Sequence, residues 1–131
     1  MRKTFLSLGA LSGGIAVALG AFGAHGLKKI VSPDSITVFQ TGVQYQMYHT
    51  LALLIVAIVY DRLPNKFILS AGYLFSFGIL FFSGSLYVIT ALKAGEKAVP
   101  AFVGAITPMG GLMFIGGWLC LLMGILKKNS F

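Results

Sequence analysis

The sequence predicts an all-α membrane protein, a four-transmembrane-helix antiparallel bundle, and three observations carry that prediction. Of 131 residues, 57% are hydrophobic and only 10% charged, against about 25% charged in an ordinary soluble domain. A chain this short leaves much of its surface exposed in water, so apolar surface on this scale calls for lipid as its solvent. The apolar residues also fall into four blocks, each near the ~20 residues that a helix needs to cross a bilayer core. Finally, the basic residues stand in small groups between those blocks: Arg2 and Lys3, Lys28 and Lys29, Arg62 and Lys66, Lys93 and Lys97, Lys127 and Lys128. Period-two alternation is missing, which argues against a barrel.

The first block, about 5–24, runs from Phe5 to Ala24 and stops at His25, Gly26 and two lysines. Glycine and lysine after an apolar helix are ordinary termination signals. Arg2 and Lys3 before an apolar run also fit a secretory signal, but the run is longer than a typical signal core, so the helix is expected to stay in the protein. The second block, about 38–60, ends in LALLIVAIVY. Its helix is expected to begin earlier, at SPDS, because Ser32 is a good N-cap, Pro33 suits the first helical position and Asp34 favours the positive end of the dipole. The third block, about 67–91, follows the short turn DRLPNK. The fourth, about 101–126, follows LKAGEKAVP, whose Pro100 stands at a helix start. Short connections make sequential helices antiparallel neighbours in a single domain spanning 1–131.

Dispersal of the basic residues argues against nucleic acid as a partner; flanking lysines and arginines meet lipid headgroups and set orientation. Six of them belong to the side with both termini and four to the other side, which puts the termini in the cytoplasm by the positive-inside rule. The single cysteine, Cys120, cannot form a disulfide within the chain.

In lipid, helices associate through close contact of small residues. The first helix offers Gly9 and Gly13 four apart, and Ser12, Ala16, Gly20 and Ala24 four apart. The fourth offers Gly110, Gly117 and Gly124 at spacings of seven. These stripes are read as packing surfaces within the bundle or between subunits.

Four stretches, GAFGAHGL, YQMYHTLALL, FSGSLY and TPMGGLMFIGGW, occur in that order across nearly the whole chain. Together they resemble the domain of unknown function 423 family, the small four-helix membrane proteins that include transmembrane protein 256 of animals. The resemblance implies an integral membrane protein, here of the bacterial cytoplasmic membrane. It implies no activity and transfers no residue roles. Thr50 departs from the small apolar residue expected at its place.

Depth counted at 1.5 Å per residue places the polar side chains of all four helices in one half of the membrane: His25, then Gln40, Gln44, Tyr45 and His49, then Ser83, Ser85 and Tyr87, then Thr107. The other half consists of segments such as LLIVAIV and WLCLLMGIL. His49 is expected to be buried there, with Tyr45 and residues of 83–87 or 107–108 as neighbours. The acceptor freed on Gly104 by Pro108 is another potential partner. Three readings of the cluster stand side by side. It is hydrogen-bonded glue between helices, or it lines a pocket or path for a polar solute, proton or lipid headgroup, or its histidines bind metal or catalyse. Two histidines without a partner Asp, Glu or Cys in the spans make a poor metal set, and no nucleophile, base and acid converge. The sequence therefore points to a non-enzymatic membrane protein with no cofactor or metal, in contact with lipid and with copies of itself or a larger membrane partner; a carrier working through His49 is the alternative.

Overall fold

The computed structural model describes residues 1–127, so Lys128 lies outside the described residues. Four long helices make up the fold of the described residues: α1 (Arg2–Ala24), α2 (Pro33–Arg62), α3 (Lys66–Ala94) and α4 (Ala101–Leu126). All four are long and apolar enough to cross a membrane. A short 3-10 turn, Leu27–Lys29, links α1 to α2. The first three helices overrun the predicted apolar blocks because their charged and polar ends, which hydropathy leaves out, still satisfy their backbone within the helix, while the fourth matches its block of 101–126.

The ends are capped as the local chemistry dictates. Ser32 accepts from the backbone N–H of Ser35 at 3.3 Å, with Pro33 behind it. Asn65 caps α3 by accepting from the N–H of Ile68 at 3.0 Å. At the end of α3, the N–H of Lys97 donates back to the carbonyl of Leu92 at 2.8 Å. Glu96 takes the left-handed conformation there, with φ of 57°, one residue after the glycine that would adopt it at less cost.

Contacts between helices fix the register. Gly9 lies against Leu54, Gly13 against Thr50, Gly20 against Val43 and Gly23 against Phe39, so α2 descends as α1 ascends. Likewise Gly110 meets Phe82, Gly117 meets Phe75 and Gly124 meets Ile68 along α3 and α4. Arg2 pairs with Asp61 at 3.4 Å, and Asn65 donates to the carbonyl of Gly124 at 3.1 Å. The start of α1, the end of α2, the start of α3 and the end of α4 therefore share one end of the bundle, and Arg2, Lys3, Arg62, Lys66 and Lys127 gather there.

The apolar core fills the half of the bundle nearest that end. Phe5, Leu53, Val56, Ile68, Ala71 and Phe75 are almost wholly enclosed. Around it, a ring of leucine, isoleucine, valine and phenylalanine side chains faces outward on every helix. In water that surface would be a large aggregation liability; in lipid it is already solvated.

Candidate functional site

Polar side chains sit in two places beyond the apolar core, at mid-depth and toward the far end. They form bonded patches instead of one cluster. The first patch stitches α1, α2 and α3. Tyr87 donates to Gln46 Oε1 at 2.6 Å, and Gln46 Nε2 donates to the Ser12 carbonyl at 2.9 Å and to Ser12 Oγ at 3.2 Å. Ser12 Oγ, having accepted from Gln46, is free to donate to Thr50 Oγ1 at 2.8 Å. Gln46 and Thr50 are 4% and 2% exposed. Close by, Ser83 donates to the carbonyl of Gly42 at 2.6 Å.

His49 anchors the second patch. It is 5% exposed, sandwiched by α3 and α4. Its Nε2 accepts from Trp118 Nε1–H at 3.0 Å. That bond fixes the tautomer: the proton is on Nδ1, which donates to the Tyr45 carbonyl at 2.8 Å. The imidazole lies flat on Phe114, centroids 3.6 Å apart and planes 7° apart, with Phe75 at 5.5 Å. Both ring nitrogens are thus committed, and neither offers a lone pair or proton to a ligand without breaking a bond.

The third patch lies between two irregular helices and satisfies backbone in one of them. α3 makes a π-helical turn over Ile79–Ser83, and α4 carries Pro108 inside it. A π turn displaces the regular carbonyl partners. Ser85 Oγ donates to the carbonyl of Phe82 at 2.8 Å, and Thr107 Oγ1 lies 2.5 Å from Ser85 Oγ, where it donates in turn. Irregular backbone at membrane depth persists only when such groups are satisfied again.

Several expectations from the sequence are corrected here. His49 does not bond to residues 83–87, to 107–108 or to the Gly104 carbonyl. Its partner Trp118 belongs to the stretch read as purely apolar, and the indole N–H, hidden by a large apolar ring, is what that reading missed. His25 stays exposed at the end of α1, its Nδ1 3.1 Å from the Ala21 carbonyl, far along the chain from the His49 patch. Gln40 is half-buried and Gln44 exposed, so neither joins a patch. Tyr45 contributes its carbonyl and ring, which lies tilted against Phe82 with centroids 4.8 Å apart. Gln46, Ser12, Asn65 and Trp118 were not singled out as polar partners. Thr50, read as a slight departure, is a buried hydrogen-bond partner. Its spacing from Gln46, four residues on one helix face, was the available signal.

The small-residue positions divide by what they touch. An added Cβ on Gly110 would run into the backbone nitrogen and Cα of Phe82, and on Gly117 it would lie 2.6 Å from the Phe75 ring. On Gly124 it would collide with Ile68. On Gly9 it would meet Leu54 Cδ2 at 2.5 Å, while on Gly13 and Gly20 it would find contacts only at 3.4 Å. Beside the second patch, a lateral groove of about 580 Å³ opens between α2 and α4, walled by Tyr45, Phe82, Pro108, Leu112 and Trp118. Among the described residues, no three of His, Cys, Asp and Glu come together.

A family model described as a protein of unknown function (DUF423) matches residues 19–111. The chain is similar to the UPF0382 membrane protein YwdK of Bacillus subtilis, 42% identical over 126 residues that cover 95% of this chain and 98% of the relative. It is 44% identical over 130 residues to a UPF0382 membrane protein of Haemophilus influenzae, covering 99% of both. It is 39% identical over 125 residues to the UPF0382 inner membrane protein YgdD of Escherichia coli, covering 95% of this chain and 91% of the relative. No solved structure matches.

Proposed function

We propose, from the premise that this chain belongs to the DUF423 family of membrane proteins whose description names no reaction, that it acts by contacts made inside the membrane and has no enzymatic activity of its own. The observation that carries this reading is the commitment of both His49 nitrogens, one to Trp118 and one to the Tyr45 carbonyl. The group with the most chemistry in the bilayer is used as a tie between α2 and α4. The same holds for Gln46, Tyr87 and Ser12, and every buried side-chain nitrogen or oxygen among the described residues has a partner. A bundle tied in this way presents a fixed outer surface to other membrane components, either copies of itself or a larger protein.

The setting we propose is the bacterial cytoplasmic membrane with both termini inside. The relatives named above are bacterial membrane proteins, one of them an inner membrane protein, and the end that carries the termini holds the larger share of lysine and arginine. Labelling single cysteines at positions 3 and 63 from one face and at 30 and 95 from the other checks the orientation.

A second reading, a carrier for a proton or small polar solute, draws on the groove of about 580 Å³ that reaches His49 from the lipid. Proteoliposomes loaded with a pH-sensitive dye separate the two. The contact reading expects proton flux equal to that of empty vesicles, for the native chain and for His49→Gln alike. Flux that depends on the protein and disappears with His49→Gln overturns it in favour of the carrier.

A further inference from the structure

The outward face of α2 breaks the rule that governs the interior. Thr41, Gln44, Tyr48, Leu51, Ile55 and Ile58 follow one another at spacings of three and four, which is the seam of a coiled coil. The last four are 55%, 53%, 51% and 61% exposed, and Gln44 is exposed as well. Counted along the helix, Gln44 lies about 15 Å from Asp34 and about 26 Å from Asp61, and Tyr48 is near the middle. With a hydrocarbon core of ~30 Å between those charges, both side chains leave the bundle inside the apolar layer. Thr41 satisfies itself by donating to the Thr37 carbonyl at 3.0 Å. The Gln44 amide and the Tyr48 hydroxyl have no hydrogen-bond partner among the described residues.

An exposed carboxamide in hydrocarbon needs a partner, because no water is there to replace one. The outward face of α4 needs none: Leu112, Ile115, Leu119 and Leu122 are as well solvated by acyl chains as by protein. The chemistry of Gln44 also selects the occupant. A carboxamide donates and accepts, so it is complementary to itself. Two copies of one chain share orientation and depth in a membrane, and a two-fold axis along the membrane normal sets α2 parallel to α2. Gln44 then faces Gln44 and Leu51 faces Leu51, an isologous contact in which every residue meets its own counterpart. Gln44, the one amide among the seam positions, fixes register, as a buried amide does in soluble coiled coils.

We infer that α2 is the surface through which this chain pairs with a second copy of itself, with Gln44 bonded across the two-fold axis. The inference deepens the contact reading above by naming the partner and the face. It is tested in native membranes with the full chain carrying Cys120→Ala and one new cysteine at a time. Oxidation is expected to give a covalent dimer of twice the chain mass from Leu51→Cys and Ile58→Cys, and none from Val17→Cys or Leu119→Cys, which are exposed on α1 and α4. Gln44→Leu added to Leu51→Cys is expected to lower the yield and to raise the midpoint of dissociation, read by energy transfer between labelled copies, about tenfold; Gln44→Asn restores most of it. A chain that stays monomeric in the membrane overturns the inference, as does crosslinking from α1 or α4 in place of α2. An adduct of Leu51→Cys with a different protein overturns self-pairing yet leaves the contact reading standing. Proton flux lost with His49→Gln does the opposite.

Discussion

The two outer helices are attached to the centre of the bundle by different means. α1 is held to α2 by polar stitches, Ser12 to Gln46 and Thr50. Its closest glycine contacts, Gly9 and Gly23, are with the side chains of Leu54 and Phe39 and not with backbone, while Gly13 and Gly20 would meet a neighbour only at 3.4 Å if each carried a Cβ. α4 is held to α3 mainly by shape, with the Ser85–Thr107 and Asn65–Gly124 bonds toward its two ends. Gly110, Gly117 and Gly124 bring its backbone so close that a single methyl would strike Phe82, Phe75 and Ile68. Both routes answer the same problem, the loss of a hydrophobic driving force between helices in lipid. The difference is in what fails first. A steric contact tolerates no added atom, whereas a polar stitch tolerates shape changes and fails when one partner is left alone.

The largest expected effect therefore belongs to α4. Gly110→Ala puts its methyl against the backbone of Phe82, inside the π-helical turn, where no rotamer change can relieve it. A loss of about 3 kcal/mol follows from overpacking of that kind, read as a lower thermal midpoint in detergent or as failure to accumulate in membranes. Gly9→Ala makes the control of equal chemistry: its nearest obstacle is the end of the Leu54 side chain, which can turn away, so the loss is expected to be smaller. If the two variants melt alike, the steric account of the α3–α4 pair is wrong.

Next comes Gln46→Leu on the polar side. It strands the Tyr87 hydroxyl, which donates to Gln46 at 2.6 Å, and an unpartnered buried polar group costs about 1–3 kcal/mol. Adding Tyr87→Phe removes the stranded group, so the double variant is expected to recover part of the loss. Additive losses would show that the two residues do not act as a pair. The same logic applies to His49→Leu, which strands the Trp118 N–H, and to its rescue by Trp118→Phe. Trp118 is the only tryptophan, so its emission in the native chain and in His49→Leu reports directly on whether the bond is made.

A weaker effect is expected from Thr50→Val. Ser12 Oγ still accepts from Gln46 Nε2, so no side chain is left alone and the cost is nearer the ~0.6 kcal/mol typical of interhelical hydrogen bonds in membranes.

These cases also mark how much was legible beforehand. Four spans, their order, the Ser32 and Pro33 start of α2 and the glycine spacing of α4 all follow from patterns local to one segment. The partner of each polar side chain does not. Gln46 looks no different from Gln40 or Gln44 in sequence; the three differ by which face of α2 turns toward α1, and that is settled by Gly9, Gly13 and Gly20 far away in the chain. Trp118 was hidden for another reason: hydropathy counts its ring and ignores its N–H. Asn65 read as an ordinary turn residue, and its bond to Gly124 exists only once the two chain segments are side by side.

The smallest expected effect lies on the face of α1 turned away from α2. A Cβ on Gly14 would meet nothing within 4 Å, and Ala10 and Ala18, four residues to either side, are exposed too. If α1 is attached only through its inner face, Gly14→Ala removes no contact and adds a better helix former. The thermal midpoint should stay level or rise by the equivalent of at most about 1 kcal/mol. A clear drop would mean that this outer stripe is itself packed against something in the membrane. α1 would then be clamped from both sides, and its attachment could no longer be described by the Ser12, Gln46 and Thr50 stitches alone. Gly20→Ala calibrates the measurement: at 3.4 Å from Val43 Cγ1 the added methyl needs only a small shift of one side chain, so its change should fall between those of Gly14→Ala and Gly9→Ala.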